Sequence, residues 1–203
     1  MRRPPTLLRQ HLPGRRRALV TIRPTRTDRA IADAVASFTT PELEGAAEFL
    51  TWGADEKLLL ALSVGAWLYA VGRPRLRPIA GHVLAVSLVS AVLPHLLKRA
   101  VDQTRPDRLT VKGHWRGVPW SGRPHDAFPS GHAMHMGALA SAAGLFPPVQ
   151  RRIARSLAVA LSATRILLLA HWASDVVAGF AGGALVERLL RPLTLGSLRG
   201  SGA

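Results

Sequence analysis

The 203-residue chain has no cysteine. Disulfides, zinc–thiolate sites and thiol catalysis are therefore excluded. Acids are scarce: 12 Asp and Glu stand against 27 Lys and Arg, which gives a net charge of +15. Aromatic residues make up only 5%, with a single tyrosine. A basic chain without aromatic interleaving or a reading module does not fit a nucleic-acid binder. Residues 1–29 lack the apolar core of about 7–15 residues that an ordinary signal peptide carries. There is no internal repeat, and the length suits one domain.

What the chain does have is apolar length. Hydrophobic residues reach 48% and charged residues only 19%. From about Lys57 onward, long apolar stretches alternate with short basic connections. They run near Lys57–Val71, Ile79–Leu97, Gly131–Pro147, Ile153–Ala170 and Trp172–Leu190. This is the pattern of a multi-span membrane protein. The first stretch is short for a hydrocarbon core that takes about 20 helical residues to cross. The expected fold class is all-α: an integral membrane helical bundle of about five to six transmembrane helices. Gly137, Gly144, Gly179, Gly182 and Gly183 suit close helix–helix approach, and Pro94 should kink the second segment.

Four regions are expected. Residues 1–29 hold nine arginines and one acid, Asp28, and read as a basic flexible arm against anionic headgroups. Residues 30–56 read as amphipathic interfacial helices, with Pro41 opening the second of them. Residues 57–191 form the transmembrane domain, and 192–203 a flexible tail. Gly72–Pro78 and Pro148–Arg155 read as basic loops on one side of the membrane, and Lys98–Pro129 as a long polar loop on the other.

With alternating spans, three polar clusters meet at that second face. Lys98 and Arg105 lie two helical turns apart, offering a point charge and a forked guanidinium to phosphate oxygens, or simply contacting lipid headgroups. Ser130-Gly131-His132 opens the third segment, where free backbone N–H groups and the helix dipole attract an anion, or else it is an ordinary capped helix start with an interfacial histidine. Arg165 interrupts an apolar run, a costly placement that marks function by default. His171 and Asp175 share one helix face at i,i+4, the base-and-orienter spacing of hydrolytic sites, or else a packing hydrogen bond. His135 reads as a helix-packing or interfacial histidine rather than a metal ligand. Trp115, Trp120 and Trp172 suit either interfacial anchoring or loop packing.

Together these residues resemble the type 2 phosphatidic acid phosphatase family, with its Lys-x6-Arg-Pro, Pro-Ser-Gly-His and Ser-Arg-x5-His-x3-Asp motifs. Every spacing matches, over about residues 43–190; the one departure is Thr164 where the family usually has serine. Membrane members usually have six spans, so the first is missing here or replaced by residues 30–52. The resemblance implies a core shared with haloperoxidases and a metal-independent hydrolase with no cofactor. His171 would attack phosphorus, Asp175 would orient it and His132 would protonate the leaving oxygen. Lys98, Arg105, Ser130, Gly131 and Arg165 would hold the phosphate. The implied substrate is a lipid phosphate: a polyprenyl phosphate or diphosphate, phosphatidic acid or phosphatidylglycerol phosphate. The partners are that substrate and membrane lipids, not nucleic acid; no oligomeric state follows. The alternatives are a vanadium-dependent haloperoxidase, disfavoured by the apolar spans, and a non-catalytic lipid-binding or transport protein, disfavoured by the intact histidines. The basic loops place the site on the extracytoplasmic face of the plasma or inner membrane, while five spans put the arginine-rich arm on that face too.

Overall fold

The computed structural model describes residues 18–106 and 125–196. Trp115 and Trp120 lie outside the described residues, as do residues 1–17 of the arm and 197–203 of the tail. The described residues are mostly helical, with two short strands among them. The order is β1 (Val20–Thr21), α1 (Arg26–Phe38), α2 (Pro41–Thr51), α3 (Glu56–Ala70), α4 (Arg77–Ala100), β2 (Val101–Asp102), α5 (Gly131–Ala142), α6 (Pro148–Leu167) and α7 (Ala173–Leu195).

Several helices start where the sequence supplies a side-chain cap. Thr25 and Asp28 form a reciprocal capping box at α1. Thr40 caps α2, with Pro41 in its first turn. The Asp55 carboxylate accepts from Lys57 N and Leu58 N at α3, both at 3.0 Å. Such caps each contribute about 1 kcal/mol.

Three expected boundaries move, one of them the start of the tail, since α7 runs past residue 191 to Leu195. The arm was expected to stay flexible to residue 29, yet β1 pairs in parallel with β2, Val20 opposite Val101 and Thr21 opposite Asp102, and α1 begins at Arg26. The backbone ladder and the capping box supply the order that arginine-rich composition conceals. Pro148–Arg155 is not a loop but the opening of α6. Pro148 sits in the first turn, where its missing N–H costs nothing, and the basic residues ride on the helix.

The centre of the bundle is the pair α5 and α7, with α4 packed on both. Helix α6 packs on α5, α3 on α4, and α2 on α6. The α5–α7 contact is backbone on backbone. A methyl at Gly183 would overlap the Met134 carbonyl, and one at Gly137 would overlap the Phe180 carbonyl. Only glycine permits that approach, which suits helices held together by van der Waals contact.

Outward faces are apolar: Leu62 and Leu68 of α3, Leu96 of α4, Leu157 of α6, and Leu185 and Leu189 of α7 are exposed. Among the described residues α4, 24 residues long, is the one helix long and apolar enough to cross a bilayer. Helices α3 and α5, with 15 and 12 residues, fall short of the about 20 that a full crossing takes. Pro94 sits inside α4 and is buried.

At one end of the bundle a polar knot joins α4, α5 and α7. Glu187 is fully buried. Its Oε1 lies 3.0 Å from His82 Nε2 and accepts from Arg191 Nε at 2.7 Å. Its Oε2 accepts from the Ser141 hydroxyl at 2.6 Å. His82 Nδ1 lies 2.6 Å from Thr194 Oγ1. The three expected site clusters gather at the opposite end.

Candidate active site

Short backbone ladders bring the distant motif segments together. Gln103 N donates to the His125 carbonyl at 3.2 Å, and Ala127 N donates to the Gln103 carbonyl at 3.1 Å. The stretch after α4 therefore lies beside the stretch leading into α5. Ser130 N in turn donates to the Asp175 carbonyl at 3.2 Å, which ties the start of α5 to the start of α7. The Trp172 indole N–H donates to the Thr104 carbonyl at 2.6 Å. Trp172 is buried, so of its two readings loop packing is the one observed.

Arg105 is buried, and its guanidinium is fully aimed. Nε and Nη2 donate to Asp126 Oδ1 at 3.2 and 3.0 Å, and Nη1 donates to the Ala170 carbonyl at 3.0 Å. Asp126 was not singled out in the sequence; its position four residues before Ser130 carries no pattern of its own. Arg165, in the last turn of α6, donates through Nη1 to Thr51 Oγ1 at 3.2 Å. Thr51 closes α2, so the helix pair ahead of the bundle orients a motif arginine. The Thr164 hydroxyl donates to the Leu161 carbonyl at 2.6 Å, within its own helix.

Two residues past the end of α6 stands Leu169, whose φ of 50° lies in the left-handed region. That conformation is uncommon for a bulky side chain. It is held because Leu169 is buried and because Ala170 N and His171 N both donate back to the Arg165 carbonyl, at 3.1 and 3.2 Å. The reversal carries His171 back over the helix end toward Ala127.

His171 Nδ1 lies 2.7 Å from the Ala127 carbonyl oxygen and 3.7 Å from Asp175 Oδ2. The backbone carbonyl is thus the direct hydrogen-bond acceptor, and the Asp175 carboxyl lies behind it. Asp175 Oδ2 accepts from Trp172 N at 3.0 Å, capping the first turn of α7. With Nδ1–H donated to a carbonyl, Nε2 keeps its lone pair. Burial, and then the charges of Arg105, Arg165 and Lys98, hold the His171 imidazole well below its ordinary pKa. It is therefore neutral, as a nucleophile must be.

Ser130 is fully buried and caps α5, with Oγ accepting from Ala133 N at 3.4 Å. A Cβ at Gly131 would meet Pro94 only at ordinary contact distance, so its lack of a side chain leaves space rather than relieving a clash. The Phe128–Pro129 peptide just ahead is cis. His132 lines a cavity of about 450 Å³ together with Arg165, Thr51, Trp52, Asp55 and Leu58. A second cavity of about 470 Å³ shares Trp52 and Leu58 with it and is walled by Phe49, Leu50, Gly53 and Leu161. His135, one turn beyond His132, is fully buried in α5. No group of three or more His, Asp or Glu able to hold a metal occurs among the described residues.

All eight expected residues thus lie at one end of the bundle, and Lys98, Arg105, Arg165 and His132 all act electrostatically on His171. The PAP2 superfamily model matches residues 79–196, more than half of the chain and all three motifs. The chain belongs to the PAP2 superfamily. It is 37% identical over 107 residues to a lipid A 1-phosphatase of Rhizobium johnstonii, covering 52% of this chain and 44% of that one. A Rhizobium etli protein of the same name is 37% identical over 106 residues, covering 52% and 46%. The chain therefore spans less than half the length of these two relatives. The PAP2 fold is shared with Aquifex aeolicus LpxE, at a TM-score of 0.62 and 16% identity over 81% of this chain and 94% of that one. It is also shared with a transmembrane PAP2-type phosphatidylglycerolphosphate phosphatase of Bacillus subtilis, at 0.60 and 23% identity over 82% and 84%.

Proposed function

We propose that this PAP2 chain is a membrane-embedded lipid phosphatase that works through a phosphohistidine. The observation that carries the reading is a buried His171 at one end of the bundle, its imidazole held neutral under the charges of Arg105, Arg165 and Lys98. His171 Nε2 attacks phosphorus while the bond to the leaving oxygen breaks, and His132 gives that oxygen its proton. His132 then takes a proton from water, which attacks the phosphohistidine and releases inorganic phosphate. The cations, the Ser130 hydroxyl and the N–H groups opening α5 carry the equatorial oxygens, whose charge grows in the transition state. Asp175 stabilises the imidazolium character that develops on His171.

The substrate combines a phosphate with an apolar tail. The phosphate lies against His132 and Arg165, and the apolar cavity walled by Phe49, Leu50 and Leu161 takes the chain that follows. Thr51 and Asp55 add polar groups at the mouth, which suits a headgroup bearing hydroxyls. A phosphorylated glycolipid of the lipid A type is therefore the first candidate, by likeness to the Rhizobium relatives. Polyprenyl phosphates or diphosphates, phosphatidic acid and phosphatidylglycerol phosphate follow.

Arg73, Arg75, Arg77, Arg151, Arg152 and Arg191 belong to the end of the bundle away from these motifs. These basic residues match the cationic character of cytoplasmic ends, which favours an outward-facing site.

The test is phosphate release from this panel by purified protein, with His171→Ala as the blank. One lipid phosphate is turned over by wild type and not by the variant. Vanadate, a mimic of five-coordinate phosphorus, inhibits, and EDTA leaves the rate unchanged. Turnover by His171→Ala, or a strict metal requirement, overturns the mechanism.

A further inference from the structure

The segment from Leu19 to Phe38 lies ahead of the residues that match the family model, yet it touches all three motif segments. On the first, Leu19 N donates to the Ala100 carbonyl at 2.8 Å and Ile22 N donates to the Asp102 carbonyl at 2.9 Å. Those acceptors lie between Lys98 and Arg105. On the second and third, Ala32, Val35 and Ala36 of α1 form one buried cluster with Ala127, Leu169 and Trp172. Ala127 supplies the carbonyl beside His171 Nδ1. Leu169 and Trp172 flank His171 in sequence.

One carboxylate fixes this segment in place. Asp28 is 3% exposed and receives four donors. Its Oδ1 accepts from Ser174 N at 2.9 Å, and its Oδ2 accepts from the Ser174 hydroxyl at 2.9 Å, Thr25 N at 2.9 Å and the Thr25 hydroxyl at 2.8 Å. Ser174 lies between His171 and Asp175 and its N–H is one of the open donors in the first turn of α7, where a carboxylate is favoured by the helix dipole. The turn that presents His171 is therefore held from two sides: by Asp175 from within α7, and by Asp28 from outside it.

We propose that residues 19–38 act as a clamp on the three motif segments, and that Asp28 is a positioning residue for His171, acting through Ser174. This rests on the phosphatase reading above. Asp28 touches no reacting atom. It fixes the first turn of α7, and with it the angle at which Nε2 meets phosphorus, where a displacement of about 1 Å can cost about 100-fold in rate.

The experiment uses the full chain in mixed micelles, with dioctanoyl phosphatidic acid as substrate and hydrogen exchange as a second, substrate-free measurement. Asp28→Ala is expected to lower kcat by about 10- to 100-fold with KM within about twofold. Amide exchange over Leu169–Asp175 should rise while α5 and the rest of α7 stay protected. Ser174→Ala, which loses one of the two bonds, should lose less. The double variant should be no worse than Asp28→Ala, because both changes break one link. Asp28→Asn retains an acceptor for Ser174 N–H and should recover part of kcat. Wild-type kcat and exchange in Asp28→Ala overturn the proposal. So do additive losses in the double variant, or a loss of kcat that only tracks the fraction unfolded. If wild type releases no phosphate from any lipid of the panel but exchange over Leu169–Asp175 still rises in Asp28→Ala, the phosphatase reading fails and the clamp stands.

Discussion

The two ends of this bundle handle buried charge in opposite ways. At the far end, Glu187, His82, Arg191, Ser141 and Thr194 bond to one another, and both oxygens of the carboxylate are used. At the site end, Arg105 is anchored by Asp126 and Arg165 by Thr51, but His132 looks into a cavity of about 450 Å³. One network closes on itself. The other borders that cavity through His132 and Arg165. A closed network contributes to stability, and an open one stores the ability to bind.

Substitutions at the two ends should therefore separate activity from stability. The largest effect is expected from His171→Ala. Turnover of the lipid phosphate falls by about 10⁴-fold or more, while the unfolding midpoint in detergent hardly moves. Next, Glu187→Ala at the far end leaves His82 and Arg191 without their common partner. Denaturant titration should show a loss of about 3–5 kcal/mol, with kcat and KM of the folded fraction unchanged. A fall in kcat there would show that the two ends are coupled. Gly183→Ala lies between them, and its methyl overlaps the Met134 carbonyl. Overpacking of this kind costs about 1–3 kcal/mol, and the forced shift of α7 against α5 should lower kcat as well.

The smallest effect concerns pH. Burial raises the Asp28 pKa, but hydrogen bonds from Ser174 and Thr25 outweigh it and leave the group below its ordinary value. A carboxylate with a depressed folded-state pKa stabilises fully above its unfolded value, and that stability is lost as pH falls through the lowered one. Protection of α1 from proteolysis should therefore be constant from neutrality down to about pH 5 and fall below pH 4. Asp28→Asn should flatten that acid limb. An unchanged acid limb would assign it to another carboxylate.

Much of the site was legible because its residues sit at helix ends and follow fixed spacings. Alternating helix direction was enough to bring Lys98, Ser130, Arg165 and Asp175 to one end, but two expected helical spacings do not hold: α4 stops at Ala100, so Arg105 follows β2, and His171 sits in the turn ahead of α7 rather than on one helix face with Asp175. What escaped was carried by backbone atoms or by very short elements. The acceptor for His171 Nδ1 is the carbonyl of Ala127, and a carbonyl leaves no mark on composition. Strands β1 and β2 are two residues each, below the length at which alternation can be read. Thr25 and Asp28 do spell a capping box, but nine nearby arginines hid it inside an apparent arm. His82 and Glu187 lie about a hundred residues apart inside apolar stretches, and nothing local couples them.

The glycine seam between α5 and α7 has a mechanical consequence. His132 rides on one of these helices and His171 is tethered at the head of the other, with Ser130 bonded across to Asp175. The two imidazoles therefore belong to a single stiff body. Rearrangement of the outer helices should therefore leave the spacing between His132 and His171 unchanged.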